Sequence, residues 1–311
     1  MRFHAILFVR DEEDIIAESL LHNAQFFDHI YVYDTGSTDQ TWEIVQAVAK
    51  QCDRVVPFRK EAVWWHDGLR AMVFDHFRSN SEDGDWWARL DADEFYHVSP
   101  REFVRQLAPR ESAIYHAYYN FRLTVEEAEA LADPEAVRLE RCRSIQDRRR
   151  YFIPAFEYSE PRLFRYRGSM KWSPAAAGPY NAGFVARARI PIRHYPYRDP
   201  CQMERRFRLR TTMFQEMRKM SNTYATHWGN DSWRSELIPA TDPRLQKWTP
   251  PNGELPPCTS LEHLPPFKRR VLQWAAHSFC LPVLDRLRPE YPKHFRPSPL
   301  PNAIQERLAE K

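Results

Sequence analysis

The chain lacks any apolar run long enough to cross a membrane as a helix. Its longest uninterrupted apolar run near the start is Ala5–Val9, whereas a membrane-spanning helix needs about 20 residues. No charged, apolar and small-residue pattern of the signal-peptide type precedes that run. We therefore expect a cytoplasmic protein or domain, and a peripheral contact with the inner face of the membrane stays open.

Cysteine is scarce, and its spacing is uninformative. The five cysteines are scattered along the chain, and no two of them form a Cys-x-x-Cys pair. This pattern argues against a disulfide framework and against structural zinc, so we expect reduced thiols. No internal repeat is present either. The 311 residues and 43% hydrophobic content allow one large globular domain or two packed halves.

The net charge of +3 hides an uneven distribution of charge. Acidic residues outnumber basic ones in residues 1–110, and the balance reverses in residues 111–220. Such an arrangement fits an ordinary solvated surface. It also fits a basic wall that faces the phosphates of a nucleotide, of a lipid-linked acceptor or of a membrane surface. We expect no nucleic-acid partner, and the oligomeric state stays open.

The first hundred residues alternate between strand and helix patterns. The predicted strands are 3–9, 30–33, 54–58 and 86–90, and the predicted helices between them are 12–23, 39–50 and 68–78. Strands separated by single helices imply right-handed crossovers. We therefore predict an α/β fold with a mostly parallel, Rossmann-like sheet and helices on both faces.

Beyond Pro100 the pattern is less regular. We predict helices at 100–107 and 201–220, strands at 113–122, 162–166 and 187–194, and a charged helical stretch at 125–143. Residues 221–311 are rich in proline, so we expect an extended region that contains one helix at 267–279. The chain thus divides into residues 1–110, 111–220 and 221–311.

Two carboxylates follow the tryptophan-rich strand at 86–90. Asp91 and Asp93 are one residue apart, so their side chains point the same way as the strand ends. Carboxylate oxygens are preferred ligands of Mg²⁺ and Mn²⁺, and a site with few protein ligands leaves room for nucleotide phosphates. Aspartate pairs are also common in turns and helix caps, where they bond to nearby backbone.

Polar clusters follow three of the predicted strands. They are Arg10-Asp11-Glu12, Asp34-Thr35-Gly36-Ser37 and Asp91-Ala92-Asp93. Ligands of open α/β sheets bind beyond the carboxyl ends of the strands. We therefore expect the three clusters to converge on one edge of the sheet.

The same segments resemble a known family. Phe8–Glu13, Val32–Thr41 and Leu90–Glu94 resemble the nucleotide-sugar half of family 2 glycosyltransferases of the GT-A fold, over roughly residues 1–110. Pro161–Arg165, then His194–Pro200 with Gln202, resemble the acceptor-side half of bacterial members that decorate lipopolysaccharide and other surface glycans. Residues 111–220 would then be that half, and residues 221–311 a C-terminal extension.

The resemblance implies roles for particular residues. Val9, Arg10 and Glu12 would frame the nucleotide base, and Asp34 would accept hydrogen bonds from the base or ribose, unless it only caps the Gly36-Ser37 turn. Asp91 would reach the ribose or a metal-bound water, and Asp93 would bind Mn²⁺ or Mg²⁺ directly. Arg70 would contact the diphosphate, unless it forms a surface ion pair.

His194 lies at the end of a predicted strand, on the same face as Ile190 and Ile192. The resemblance implies that it completes the metal shell with Asp91 and Asp93, because imidazole suits Mn²⁺ beside carboxylates. The alternative is an inward histidine that is satisfied in the core.

Two positions depart from the family pattern. Thr35 stands where many members have a second aspartate against the base. In addition, relatives often carry a glutamate shortly after the position of Trp172, and this glutamate acts as the general base. This chain has no glutamate in residues 171–179. Glu160 and Asp199 are the nearest acidic candidates for that base, although Asp199 is more simply a helix cap.

We therefore expect a metal-dependent glycosyltransferase that moves a sugar from a nucleoside diphosphate donor, first of all UDP, onto a glycan or lipid-linked acceptor with inversion. The alternative is a nucleotide-sugar-binding protein that has lost catalysis, which the missing base would explain. Asp-x-Asp also opens a class of phosphatase motifs. Those motifs need the pair on the first strand and Thr or Val where this chain has Phe95.

The segment 267–274 mixes aromatic and basic residues, as interfacial helices do. A helix docked on the core would explain the same composition. Both interpretations stay open from the sequence alone.

Overall fold

The structure is a computed structural model that describes residues 1–220, 232–250, 253–291 and 296–309. The chain forms two compact units, each built from separated segments. Unit 1 comprises Met1–Tyr118, Ala155–Arg193 and Pro257–Pro299. Unit 2 comprises Tyr119–Pro154, His194–Pro256 and Leu300–Lys311. These boundaries differ from the division at residues 110 and 220, which concerns function and stays a prediction.

The strands in the described residues are short except for β6. They are β1 (Phe3–Val9), β2 (His29–Asp34), β3 (Val55–Lys60), β4 (Trp86–Asp91), β5 (Glu94–Tyr96), β6 (Glu111–Arg122), β7 (Tyr151–Ala155), β8 (Pro161–Arg165), β9 (Phe184–Val185), β10 (Ile190–His194) and β11 (Gln246–Lys247).

The helices in the described residues are longest near the middle and the end of the chain. They are α1 (Ile16–Asn23), α2 (Thr41–Ala49), α3 (Leu69–Phe77), α4 (Pro100–Arg105), α5 (Val125–Ala130), α6 (Pro134–Glu140), α7 (Ile145–Arg148), α8 (Pro200–Met220), α9 (Phe267–Phe279), α10 (Leu281–Arg286) and α11 (Asn302–Ala309). Short 3-10 turns lie at Arg78–Asn80 and Trp233–Glu236.

The sheet of unit 1 has a parallel centre. Its strands are hydrogen-bonded in the order β6-β8-β4-β1-β2-β3. β1 pairs in parallel with both β2 and β4, and β2 pairs in parallel with β3. β8 runs antiparallel to β4 and to β6. The predicted mostly parallel sheet is therefore confirmed for its first four strands.

β1 is buried on both faces because its neighbours supply helices to both sides. Phe3, Ala5 and Leu7 pack in one apolar cluster with residues of α1 and α2. Ile6 and Phe8 pack in a second cluster with residues of α3. Alternate side chains of a strand point to opposite faces, so a strand that is buried along its whole length, as β1 is, needs helices on both faces. The predicted two-sided α/β arrangement is confirmed.

Unit 2 has its own smaller apolar cluster. It contains Leu123, Ala128 and Val137 with Met203 of α8. In this unit β7 lies between β6 and β11. The predicted helical stretch at 125–143 divides into α5 and α6, because Pro134 lacks the N–H that would continue a helix.

Some predicted boundaries shift, and four strands were not predicted. The helix predicted from residue 12 begins at Ile16. The unpredicted strands are β5, β7, β9 and β11. In the described parts of the chain, no helix combines the length and apolar content needed to cross a bilayer.

Gly36 turns the chain after β2, with φ at +103°. A Cβ at this position would lie 2.7 Å from the Cα of Ala62. We expect Gly36→Ala to lower the free energy of unfolding by about 2 kcal/mol or more, because both the dihedral angle and the space exclude a side chain. Urea unfolding measures this change.

Gly168→Ala is the matched control for Gly36→Ala. A Cβ there would meet only Asp83 Oδ1, at an ordinary 3.5 Å. The control should stay within about 1 kcal/mol of the parent chain. Equal stabilities for the two variants would show that Gly36 is not required by the turn.

Candidate active site

Three polar strand ends meet at one edge of the parallel sheet in unit 1. In the register of β1, Val9 lies opposite Asp34 of β2, and Phe8 lies opposite Asp91 of β4. The carboxyl ends of adjacent parallel strands share an edge, so the residues that follow these strands are neighbours. The convergence expected from the sequence is present.

Asp34 is a fully buried carboxylate at the end of β2. Its Oδ1 accepts the N–H groups of Gly36 at 2.8 Å and Ser37 at 2.6 Å, so it does cap the turn. Its Oδ2 is buried and has no hydrogen-bond partner among the described residues. Burial raises the pKa of Asp34, and the N–H groups of Ser37 and Gly36 oppose that rise. The cap therefore leaves one acceptor oxygen for another group.

The loop after β1 is tied to the loop after β2. The carbonyl of Val9 accepts the N–H of Thr35 at 3.0 Å. Arg10 Nη1 donates to the carbonyl of Thr35 at 3.0 Å, and the N–H of Glu12 donates to Thr41 Oγ1 at 2.8 Å. Val9, Arg10 and Glu12 therefore lie at the same edge as Asp34, with part of their polar groups used to hold the edge together.

Asp11 was not predicted as a site residue, yet it links the same two loops. It is the one non-glycine residue with positive φ in the described ranges, at +53°. Its Oδ1 accepts the N–H of Thr38 at 2.7 Å, and its own N–H donates to Ser37 Oγ at 2.9 Å. An aspartate two residues after a buried strand was the available signal. The left-handed backbone could not be inferred from it.

Asp91 ends β4 and keeps 35% of its side chain exposed. Arg70 Nη2 donates to its Oδ1 at 2.7 Å, and Arg162 Nη2 lies 3.5 Å from its Oδ2. Burial raises the pKa of Asp91, but Arg70, Arg162 and Arg89 outweigh burial and hold that pKa below its ordinary value. Asp91 is therefore an ionised carboxylate that solvent or a ligand can reach.

Arg70 lies in a buried ion pair and not on the surface. Its guanidinium lies 5.1 Å from the ring centroid of Phe8 and 5.0 Å from that of Trp65. Nη1 also lies 3.3 Å from Asp67 Oδ1. The surface ion pair that the sequence left open is therefore wrong, and the contact of Arg70 with a diphosphate stays a prediction.

Asp93 lies in the turn between β4 and β5, and Glu94 is the first residue of β5. Asp93 is 4% exposed, and Glu94 is fully buried. Glu94 Oε2 accepts the N–H of Asp91 at 3.2 Å, and its Oε1 accepts from Arg162 Nη2 at 2.6 Å and from the hydroxyl of Tyr118. Burial raises the pKa of Glu94 to about 8. Glu94 thus supports the acidic turn, by which we mean Asp91–Asp93, through hydrogen bonds made from its buried side. Its position in the sequence did not indicate this role.

Glu160 lies beside the same arginines. It accepts from Arg89 Nη2 at 3.0 Å and from the hydroxyl of Tyr158 at 2.6 Å. Arg162 Nη2 lies 3.8 Å away, so this nitrogen is near the carboxylates of both Glu160 and Asp91. Burial raises the pKa of Glu160, but Arg89 and Arg162 outweigh it and lower the pKa below its ordinary value.

Each arginine beside Asp91 has at least one N–H group without a hydrogen-bond partner among the described residues. Arg70, Arg89 and Arg162 are each at least nine-tenths buried. In the described structure, Nε of each and Nη1 of Arg162 are buried without a hydrogen-bond partner. Unpaired buried N–H groups are costly, and a bound anion is a common means of satisfying them. The cluster can therefore offer donors to a phosphate beside Asp91.

His194 and Asp199 belong to unit 2. His194 Nδ1 lies 2.8 Å from Asn120 Oδ1. Asp199 is fully buried, accepts two hydrogen bonds of 2.9 Å from Arg141, and accepts the N–H of Gln202 at 2.8 Å. This arrangement favours the helix-cap interpretation of Asp199. The metal role of His194 and the catalytic role of Asp199 stay predictions.

Asp91 and Asp93 offer carboxylate oxygens, which Mg²⁺ and Mn²⁺ prefer as ligands. In the described ranges, no group of three or more His, Cys, Asp or Glu side chains is placed to hold a metal ion. Mg²⁺ and Mn²⁺ are often held by one or two carboxylates together with substrate phosphates. The two aspartates therefore fit a cation that is shared with a bound diphosphate, and not a closed protein cage.

The raised pKa of Glu94 predicts a pH-dependent stability. Its ordinary value is 4.5, so between about pH 4.5 and pH 8 the folded chain holds a proton that the unfolded chain has lost. Stability from this group is therefore lost as pH rises through that window, by about 1 kcal/mol per pH unit. Glu94→Gln should remove this loss, as measured by urea unfolding at several pH values.

The test of Glu94 uses the difference between the two chains, since other groups titrate in both. Glu102→Gln, an exposed position on α4, is the matched control and should follow the parent chain. Parallel pH profiles for the parent chain and Glu94→Gln would contradict the assigned titration.

A sequence model of the family described as glycosyl transferase family 2 matches residues 5–169. No curated protein matches the chain.

Several solved structures are similar. TarS 1-349 of S. aureus is 13% identical and has a TM-score of 0.30, with 73% of this chain and 68% of that chain covered. The mannosyltransferase PcManGT from Pyrobaculum calidifontis, in complex with GDP-Man and Mn²⁺, is 16% identical and has a TM-score of 0.38, with 76% and 68% covered. At these scores the likenesses carry no further conclusion. The family match spans more than half of the chain, so the protein belongs to glycosyl transferase family 2 and is a glycosyltransferase.

Proposed function

We propose that the protein transfers a sugar from a nucleoside diphosphate donor, with UDP as the first candidate, to a hydroxyl of a glycan or lipid-linked acceptor. The observation that carries the proposal is the edge at which Asp34, Asp91 and the three buried arginines meet. That edge offers an acceptor for a nucleoside, carboxylates for a cation, and donors for phosphate. In this proposal residues 1–110 bind the donor and residues 111–220 the acceptor.

The nucleoside end of the site is supported by Asp34. Its free Oδ2 is an acceptor in a buried position, and the imide N–H of uracil or a ribose hydroxyl is a suitable donor. Val9 ends the neighbouring strand and Arg10 follows it, and both would frame the base from the other side. Guanine also carries N–H donors, so the experiment compares the bases.

The phosphate end is supported by charge. Asp91 and Asp93 would hold Mn²⁺ or Mg²⁺ together with the phosphates of the donor. When bound, the cation would neutralise charge on the departing diphosphate. The N–H groups of Arg70, Arg89 and Arg162 that have no partner among the described residues would bind the phosphate oxygens directly, where negative charge develops during transfer.

The transfer itself would be a single in-line displacement. The acceptor oxygen forms a bond to the anomeric carbon while the bond from that carbon to the diphosphate breaks, so the configuration inverts. The hydroxyl proton must pass to a base. Glu160 is the better candidate for this base in the described structure, because its side chain is ionised and one-third exposed. It also lies near Asp91, since Arg162 contacts both carboxylates. Asp199 is a poorer candidate, because both of its carboxylate oxygens accept hydrogen bonds from Arg141.

One observation also favours the non-catalytic alternative. Arg89 and Arg162 lower the pKa of Glu160, and a lower pKa makes a weaker base. A chain that binds the donor but never turns it over would fit this weakness. Release of UDP from a UDP-sugar, with and without a panel of sugar acceptors, separates the two proposals.

A thermal-shift screen tests the binding step. UDP, GDP, ADP and their common sugar conjugates are added with and without Mn²⁺. A ligand at about 100 times its Kd should raise the midpoint by about 5 °C, because it binds only the folded chain. No Mn²⁺-dependent shift with any nucleoside diphosphate would overturn the proposed function.

Asp34→Asn tests the nucleoside contact specifically. The amide keeps one oxygen for the Gly36-Ser37 turn but replaces the free acceptor by a donor. We expect UDP affinity to fall by about 10- to 100-fold, the usual effect of losing a charged hydrogen bond. Isothermal calorimetry measures it, with Asp53→Asn, an exposed position, as control. Unchanged affinity would restrict Asp34 to its role as a turn cap.

A further inference from the structure

In helix α9 of unit 1, large apolar side chains face solvent and polar side chains face the protein. The side chains of Phe267, Leu272 and Trp274 are 81%, 69% and 53% exposed, and Val271 is exposed as well. Phe267, Val271 and Trp274 follow each other at helical spacing, so they share one side of the helix. Helices of water-soluble proteins turn such a side toward the core. Here it is turned away.

The inward side of α9 is the polar one. Arg270 Nη1 donates to the carbonyl of Val185 at 3.2 Å, and its guanidinium lies 4.5 Å from the ring centroid of Phe184. Gln273 and His277, three and seven positions later, are partly buried on the same side. The helix is therefore docked on the core, as one sequence interpretation expected, but through its polar residues.

α10 fixes this arrangement. Asp285 is fully buried and accepts from Arg167 Nε at 2.6 Å and from Arg167 Nη2 at 2.8 Å. It also accepts from Ser169 Oγ at 2.9 Å and from Asn181 Nδ2 at 2.9 Å. A buried carboxylate with four donors is a strong and geometrically specific anchor. The outward apolar side chains are therefore held in place by the fold.

The exposed charge on these two helices is of one sign. Lys268, Arg269 and Arg286 are exposed, and Arg288 follows α10. Residues 267–279 contain no Asp or Glu, and the single acid of α10 is the buried Asp285. Val283 and Leu287 add apolar side chains that are 56% and 76% exposed. Apolar and aromatic side chains surrounded by cations complement an anionic lipid surface.

We propose that α9 and α10 form a membrane-docking surface that inserts its apolar side chains among the headgroups of an anionic bilayer. We call this surface the α9–α10 face; its members are Phe267, Val271, Leu272, Trp274, Val283 and Leu287. Trp274 suits such a position because its ring is amphipathic, and Lys268 and Arg269 can extend to lipid phosphates. The proposal does not depend on the donor chemistry proposed above.

Vesicle flotation tests the α9–α10 face. The full chain is mixed at low salt with vesicles of phosphatidylcholine and phosphatidylglycerol, or of phosphatidylcholine alone. We expect flotation with the anionic vesicles and a decline as salt is raised. Lys268→Ala with Arg269→Ala should weaken binding by about fivefold per removed cation. Leu272→Glu with Trp274→Glu should weaken it by about tenfold or more.

Leu21→Glu is the matched control, since Leu21 of α1 is 50% exposed in the same unit. It should float like the parent chain. Circular dichroism melting checks the fold of each variant, and Phe267→Glu serves as a second probe if Trp274→Glu is unstable. All of these variants should bind UDP with Mn²⁺ as tightly as the parent chain does. A loss of vesicle binding with unchanged UDP affinity is then distinguished from a loss of donor binding.

Three outcomes would overturn the docking proposal. The parent chain could fail to float with the anionic vesicles at low salt. The glutamate variants could float as well as the parent chain. Finally, sedimentation could show a dimer that Leu272→Glu dissociates while no vesicle binds, and the α9–α10 face would then be an interface between two copies of the chain.

Discussion

Arg162→Met is expected to lower the free energy of unfolding by about 3–5 kcal/mol above about pH 8, where Glu94 is ionised because its pKa is about 8. Arg162 is almost fully buried, and its Nη2 donates to the fully buried Glu94 at 2.6 Å while lying 3.5 Å from Asp91. Removing one partner of a buried ion pair leaves the other charge uncompensated in the interior, which costs more than the pair itself contributes. Urea unfolding followed by circular dichroism measures the change.

Two further variants serve as controls for Arg162→Met. Arg165→Met, at an exposed end of the same strand, should cost less than about 1 kcal/mol. The double variant Glu94→Gln with Arg162→Met should recover part of the loss, because it removes both charges together. A single Arg162→Met variant as stable as Arg165→Met would show that Glu94 does not need its cation.

Asp93→Ala is expected to abolish most of the Mn²⁺-dependent part of UDP affinity, with a fall of about 100-fold or more. Even the groups that only support metal ligands contribute 10- to 100-fold to affinity, so removal of a direct ligand should exceed that range. Isothermal calorimetry of UDP with and without Mn²⁺ measures the effect. Affinity without Mn²⁺ should change little, because Asp93 is assigned to the cation and not to the nucleoside.

Asp53→Ala is the control for Asp93→Ala, since it removes an exposed aspartate from a turn of the same unit. It should leave both affinities unchanged. If the parent chain and Asp93→Ala show the same Mn²⁺-dependent affinity, the assignment of the acidic turn as the cation site is lost.

The centre of the fold could be predicted because its strands are buried on both faces. The predicted bounds of β1 match the structure. Those of β2 differ by one residue at each end, and those of β4 by one residue at the carboxyl end. The bounds of α9 also match, because Pro265 and Pro266 allow no earlier start. β7 was not predicted: it contains Pro154, and its pairing with β6 and β11 depends on distant residues.

The site could be predicted only as far as single strand ends. Asp34, Asp91 and Asp93 each follow a buried strand, and that local signal placed them at one edge. The partnership of Arg162 with Glu94 joins residues 68 positions apart. It depends on the antiparallel pairing of β8 with β4, which gives no sequence signal. For the same reason the burial of Arg70 and the free donors of the arginine cluster became visible only in three dimensions.

The separated segments of unit 1 have a consequence for how the chain matures during synthesis. Pro299 bridges to Val63, the carbonyl of Ser298 accepts the N–H of Trp64, and Tyr291 packs in the cluster behind β1. A nascent chain synthesised only through residue 256 therefore lacks residues 257–299. Part of this segment packs against the apolar cluster that contains Ile6 and Phe8 of β1. Until residues 257–299 have been synthesised, that apolar surface stays exposed, so unit 1 cannot close before this segment has left the ribosome.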